Sequence, residues 1–193
     1  MGKLIGLTGN IGSGKSSVAS LFEEKGACII DADQLNSIIF EENKPVQESI
    51  KKIFGTLNKS EIAKTAFSDS DKKKQLERIL HPIIMHRATH MAEDFFSKGK
   101  KVVLLEASQL VETGLYKKLF GLILVVCKSA IQKERFLKNT SQSKLHPIYE
   151  NILQAQMPVS QKKPYAHWVI DNSGELKNTK KQVDAVWEQL QKL

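Results

Sequence analysis

The stretch Gly9-Asn10-Ile11-Gly12-Ser13-Gly14-Lys15-Ser16 follows the apolar run Leu4-Ile5-Gly6-Leu7 and leads into a helical pattern over Lys15–Glu24. It satisfies G-x-x-x-x-G-K-[ST] in the strand-then-helix setting that gives the pattern its physical meaning. Glycines let the backbone turn so tightly that successive N–H groups converge on one point, and the helix N-terminus behind them adds partial positive charge. A chain that opens this way is constrained towards a parallel α/β sheet with an anion cradle at the carboxyl end of its first strand. In such a cradle Gly9, Asn10, Ile11, Gly12, Ser13, Gly14, Lys15, Ser16 and Ser17 hold nucleotide phosphates, Lys15 reaches the terminal phosphates, and the Ser16 hydroxyl ligates Mg²⁺. The plain alternative is a glycine-rich connector that binds nothing.

The rest of the chain is compatible with that start. Lys3–Thr8, Ala27–Asp31, Val102–Ala107, Leu122–Cys127 and His167–Asp171 read as buried parallel strands, with helices fitting between most of them. About 70 residues without strand signal separate the second strand from the third, too many for one crossover loop. Helical segments near 45–54, 60–67 and 69–97 fill that interval, the last with a break or kink expected at Pro82. The expected architecture is a three-layer α/β fold of the P-loop NTPase type with a five-stranded parallel sheet. It makes one domain over 1–193, with an inserted helical subdomain at 41–98 and a short lid region at 129–158, where the polar patch Asn139–Lys144 is either a plain loop or the turn of a lid.

A net charge of +8, from 29 Lys and Arg against 21 Asp and Glu, favours anionic partners. Nucleic acid is the weaker choice, because there is no zinc-type spacing, no aromatic RNA-binding strand and no basic run beyond Lys72-Lys73-Lys74. No apolar run approaches the roughly 20 residues that cross a bilayer, so no membrane partner is expected. Cys28 and Cys127 sit in apolar stretches without a C-x-x-C partner, which suits a reducing, cytoplasmic compartment. A GTP switch is disfavoured, since Asn43-Lys44 and Asn58-Lys59 are not followed by the Asp of N-K-x-D, and Asp171–Gly174 falls too late for a D-x-x-G switch. His86 and His90 stand four apart, but Arg87-Ala88-Thr89 between them lacks the glutamate of a zinc peptidase motif.

The second strand ends Ile29-Ile30-Asp31-Ala32-Asp33. A carboxylate at the carboxyl end of a neighbouring strand can orient an acceptor hydroxyl and take its proton during phosphoryl transfer. The competing use of an Asp there is to cap the next helix. Asp33 is the candidate for the chemistry.

Beyond these readings, "LTGNIGSGKSSVA", "IIDADQL", "FSDSDKKKQLERILHPII", "VETGL", "ILQAQMP" and "WVIDNSG" occur in an order and spacing that resemble the dephospho-CoA kinase family over nearly the whole chain. The resemblance implies transfer of phosphate from ATP, with Mg²⁺, to the ribose 3′-hydroxyl of dephospho-CoA. It implies Asp33 as the base or acceptor-orienting carboxylate, the helical insert 41–98 as the acceptor-binding subdomain with Leu80-His81-Pro82 shaping its pocket, Arg135 of the Gln132–Arg135 pair as a clamp on ATP, and Asn172 near the adenine end. Two positions depart from the family's pattern: Glu106 stands where an Asp is common, and Asn139 where a second arginine is usual, leaving Lys133, Lys138 or Lys144 to supply that charge. The rival reading is another small-molecule kinase acting on a nucleoside or nucleotide. A monomer is compatible with the sequence, which leaves the oligomeric state open.

Overall fold

The computed structural model describes residues 2–139 and 146–192, with side chains at all of these except 139 and 146–148. Strands β1 (Lys3–Thr8), β2 (Cys28–Asp31), β3 (Val102–Glu106), β4 (Gly121–Val126) and β5 (Trp168–Asp171) form a parallel sheet in the order β2-β3-β1-β4-β5. Helix α1 (Lys15–Glu24) joins β1 to β2, and α2 (Ala32–Glu42), α3 (Lys44–Phe54), α4 (Lys59–Ser68) and α5 (Ser70–Ser97) lie between β2 and β3. After β4 come α6 (Ser129–Asn139), α7 (His146–Gln154) and α8 (Val159–Lys162), and α9 (Leu176–Lys192) follows β5. The chain divides into two compact units, residues 1–30 with 92–193, and residues 31–91.

In the first unit the central strand β1 pairs with β3, where Leu7 stands opposite Glu106, and with β4, where Thr8 stands opposite Leu124. Alternate residues Ile5 and Leu7, Val102 and Leu104, Ile123 and Val125 point to one sheet face and join Val18 and Phe22 of α1 and Val183, Val186 and Leu190 of α9 in one buried cluster. The spacing of four, three and four from Thr179 to Leu190 is the apolar stripe of an amphipathic helix, and all four positions are buried. Phe22 has no exposed surface, and burial of that completeness contributes about 2–3 kcal/mol. Exposed pairs Lys25–Asp184 and Lys180–Glu24 link the same two helices but add little in water. This core fixes the strand ends from which the site is built.

In residues 31–91 the helices start at side-chain caps: Asn43 Oδ1 accepts from Val46 N at 3.1 Å, Asn58 Oδ1 from Ser60 N at 3.0 Å, and Asp69 Oδ1 from Asp71 N at 3.0 Å. Helix α5 runs unbroken past Pro82, so of the break or kink expected there the break does not occur. The proline ring removes one i→i−4 bond, to the Arg78 carbonyl, yet Leu80, Ile84, Met85 and Ala88 are buried on either side of it. Burial of those apolar side chains outweighs the lost bond.

His81 lies on that stretch, and burial holds its imidazole below the usual 6.5, against an upward pull from the Glu77 carboxylate and with a further lowering from Lys73. The unfolded chain therefore binds this proton more readily, so the contribution of His81 to stability is present above pH 6.5 and declines as pH falls through the window below it. His81→Gln is expected to flatten that part of the stability profile, which denaturant unfolding between pH 7.5 and 5 would record.

Candidate functional site

β1 ends at Thr8, whose hydroxyl donates to the Ser108 carbonyl at 3.1 Å, and the loop that follows closes with Ser13 N donating to Asn10 O at 3.0 Å. Gly12 (φ 72°) and Gly14 (φ 84°) occupy the left-handed region, which L side chains avoid. Both also lie against other backbone or side-chain atoms: a Cβ at Gly12 would collide with the Gln132 carbonyl of α6, and one at Gly14 with the Asn172 amide nitrogen. Gly14→Ala is thus expected to cost about 1–3 kcal/mol from backbone strain and to weaken ATP binding. Thermal unfolding with and without ATP measures both effects.

Gly14 is the N-cap of α1 and offers no side-chain cap, nor does the first turn carry an acidic residue. The first intrahelical bond is Val18 N to Gly14 O, at 3.1 Å. The amides of Gly14, Lys15, Ser16 and Ser17 therefore have no intrahelical acceptor and present a cluster of donors with partial positive charge. Ser16 Oγ donates to Glu106 Oε1 at 2.9 Å, putting two hard oxygen atoms together at the end of β3. Arg135 of α6 donates from Nη1 to Cys127 Sγ at 3.6 Å, and the same nitrogen stands beside Gly14. Buried Asn10 Oδ1, Ser13 Oγ and Gln132 Nε2 have no hydrogen-bond partner among the described residues.

The loop is held from two sides. Asn172 Nδ2 donates to Ser13 O at 2.9 Å, while its Oδ1 accepts from Thr179 Oγ1 at 3.0 Å. On the other side Gln156 Oε1 accepts from Ile11 N at 2.9 Å, and Asn10 Nδ2 donates to Met157 O at 3.3 Å. Asn172 is 5% exposed, and both of its polar side-chain atoms engage protein groups. The neighbouring Asp171-Asn172-Ser173-Gly174 is a strand-to-helix turn: Asp171 Oδ1 accepts from Ser173 N at 2.8 Å, and a hydrogen bond from the Ser173 side chain holds the Asp171 carboxyl below its usual range.

Of the residues singled out in the sequence, Gly9–Ser17, Arg135 and Asn172 are brought together in the first unit. Asp33 and Leu80-His81-Pro82 belong to residues 31–91, with Asp33 exposed in the first turn of α2, Leu80 buried, His81 half-buried and Pro82 exposed on α5. Asp31, not Asp33, is the helix cap, its Oδ1 accepting from Asp33 N at 2.8 Å and Gln34 N at 3.1 Å. The strand beside β1 on that side is β3 rather than β2, so the strand-end acid in register with the loop is Glu106. Periodicity identifies strands but not their lateral order. Lys133 is paired with Glu150 at 3.6 Å and Lys138 with Glu134 at 2.6 Å; Lys144 and the side chain of Asn139 lie outside the described residues. His86 and His90 meet through their Nε2 atoms at 3.1 Å. Among the described residues no group of three potential metal-ligating His, Cys, Asp or Glu side chains occurs, and no helix is long and apolar enough to cross a membrane.

An uncapped helix behind a left-handed glycine turn, at the end of the central strand of a parallel sheet, is the construction of a P-loop protein that binds nucleotide phosphates. The sequence model of the dephospho-CoA kinase family matches residues 3–178, and the chain belongs to that family of ATP-using P-loop kinases. Dephospho-CoA kinase of Aquifex aeolicus is 37% identical over 97% of this chain and 97% of that protein. A crystal structure from Thermus thermophilus superposes with a TM-score of 0.82 at 31% identity, covering 98% of each chain. Dephospho-CoA kinase from Campylobacter jejuni shares the fold, with a TM-score of 0.68 at 20% identity over 100% of this chain and 98% of that one.

Proposed function

We propose that this protein transfers the γ-phosphoryl group of ATP to the ribose 3′-hydroxyl of dephospho-CoA, giving coenzyme A and ADP. The observation that carries this reading is that the family match extends from residue 3 to residue 178. It therefore includes residues 31–91 as well as the loop that many unrelated nucleotide-binding proteins share.

The reaction forms one O–P bond and breaks another: the acceptor oxygen joins the γ-phosphorus, the bond from that phosphorus to the β–γ bridging oxygen breaks, and the acceptor proton is taken up by a base. The first-turn amides of Gly14–Ser17 and the Ser13 hydroxyl, which has no hydrogen-bond partner among the described residues, receive the phosphate oxygens. Lys15 neutralises charge on the outer phosphates, and Arg135, beside Gly14, adds a planar donor fork. Asp33, whose carboxylate is not the cap of α2, orients the 3′-hydroxyl and accepts its proton. We assign acceptor recognition to the helical segment 41–98 with Leu80, His81 and Pro82, and closure over ATP to 129–158. Asn172 supports the nucleotide through its grip on Ser13.

The Ser16 hydroxyl and Glu106 carboxylate form a hard oxygen pair of the kind that suits Mg²⁺, and these two residues would hold the ion. Bound there with ATP, the ion would offset charge on the β and γ phosphates. Both cysteines are free thiols, which suits action in the reducing cytoplasm.

A coupled assay of ADP release tests the reading, with dephospho-CoA compared against a panel of nucleosides and nucleotides. Saturable turnover with dephospho-CoA alone is expected. Comparable kcat/KM for a nucleoside would transfer the assignment to the rival kinase class.

A further inference from the structure

We propose that Glu112 and Lys162 form a buried positioning pair that sets the first half of the phosphate loop, Asn10 and Ile11, in its ATP-binding geometry. The proposal rests on the reading of that loop as the ATP site.

The pair lies outside the loop and outside every motif role assigned above. Lys162 is fully buried and Glu112 is 16% exposed, with Nζ and Oε1 2.9 Å apart. From this pair two lines of hydrogen bonds reach the loop. Lys162 Nζ also donates to the Ser108 carbonyl at 2.9 Å, the acceptor that takes the Thr8 hydroxyl at the end of β1. Glu112 Oε1 also accepts from Met157 N at 2.9 Å, and residues 156 and 157 are the ones that bond Ile11 N and Asn10 Nδ2. The loop's second half is held separately by Asn172. Glu112 and Lys162 thus govern one side of the cradle only.

Stability alone is a poor reason for this arrangement. Desolvating two charges is costly, and apolar side chains of similar volume commonly replace such pairs without loss. Glu112 Oε2 is moreover buried without a hydrogen-bond partner among the described residues, so the pair is not satisfied to the full. Burial pulls the Lys162 ammonium below its usual range despite the opposing hydrogen bond and charge of Glu112. What the pair supplies that leucine and methionine cannot is direction: an acceptor fixed on the Met157 amide and a donor fixed on the Ser108 carbonyl. Together they hold 156–162 in the register that presents Gln156 Oε1 and Met157 O to the loop.

The decisive variant is Glu112→Leu combined with Lys162→Met, which removes both charges together and strands neither. Its thermal midpoint, its ATP affinity by calorimetry and its separate KM values for ATP and dephospho-CoA are compared with the wild type. The expected result is a midpoint near that of the wild type, ATP binding weakened about 10-fold or more, KM for ATP raised in step, and KM for dephospho-CoA unchanged. A folded double variant with unchanged ATP affinity overturns the proposal. If the double variant does not fold, Glu112→Gln decides: it keeps an acceptor for Met157 N but loses the charge that fixes Lys162. It is expected to raise KM for ATP by about 3-fold or more, and an unchanged KM overturns the proposal. Failure of the wild-type protein itself to bind ATP would instead remove the reading of the loop, and this proposal with it.

Discussion

Lys15→Ala is expected to lower turnover by about 10³-fold or more while leaving the far-UV circular dichroism and thermal midpoint close to those of the wild type. Lys15 opens α1 and its side chain is only half-buried, so truncation creates no large cavity in the core. In the proposed mechanism its loss removes the cation that approaches the terminal phosphates as negative charge shifts between the attacking and leaving oxygens. Neighbouring backbone amides remain, so ATP should still bind, more weakly. A variant that turned over within about 3-fold of the wild type would show that this lysine stabilises no charge in the transition state.

Asp33→Asn is expected to lower kcat by about 10²–10⁴-fold, with the dissociation constant for ATP changed by less than about 3-fold. The amide keeps the size and can still hydrogen-bond an acceptor hydroxyl, but cannot take its proton. Asp31→Ala supplies the contrast. It deletes the oxygen that caps α2 and is expected to cost about 1 kcal/mol of stability, with kcat retained. Steady-state kinetics beside denaturant unfolding of the two variants separates the roles. The same kcat loss in both would show that the end of β2 acts only through its fold.

Much of this could be read from residue order because the forces involved are local. Apolar runs gave all five strands to within about a residue at each end, the largest shift being β4, which begins at Gly121, where a glycine lacks the hydrophobic signal used to find it. The glycine spacing gave the phosphate loop, since positive φ at Gly12 and Gly14 is a property of single residues. Pro82 does not break α5: propensity sees the missing N–H and not the buried Leu80, Ile84 and Met85 around it.

The supports of the site were hidden for a different reason. Asn172 reaches Ser13 across 159 positions and Gln156 reaches Ile11 across 145, and nothing local to either end marks such a bond. Glu112 lay in "VETGL" and Gln156 in "ILQAQMP", segments that carried the family resemblance without suggesting what their side chains touch. The Ser16–Glu106 contact depends on β3 lying beside β1, a fact of strand order that periodicity does not contain.

The central claim is that the loop at residues 9–17 delivers the γ-phosphoryl group of ATP to one defined hydroxyl. Mass spectrometry with phosphorus NMR of the products from purified protein, ATP, Mg²⁺ and dephospho-CoA tests it most directly. Stoichiometric ADP and a new phosphomonoester at the ribose 3′ position are predicted. ADP and inorganic phosphate with dephospho-CoA unchanged, or phosphate placed on any other oxygen, would contradict the account.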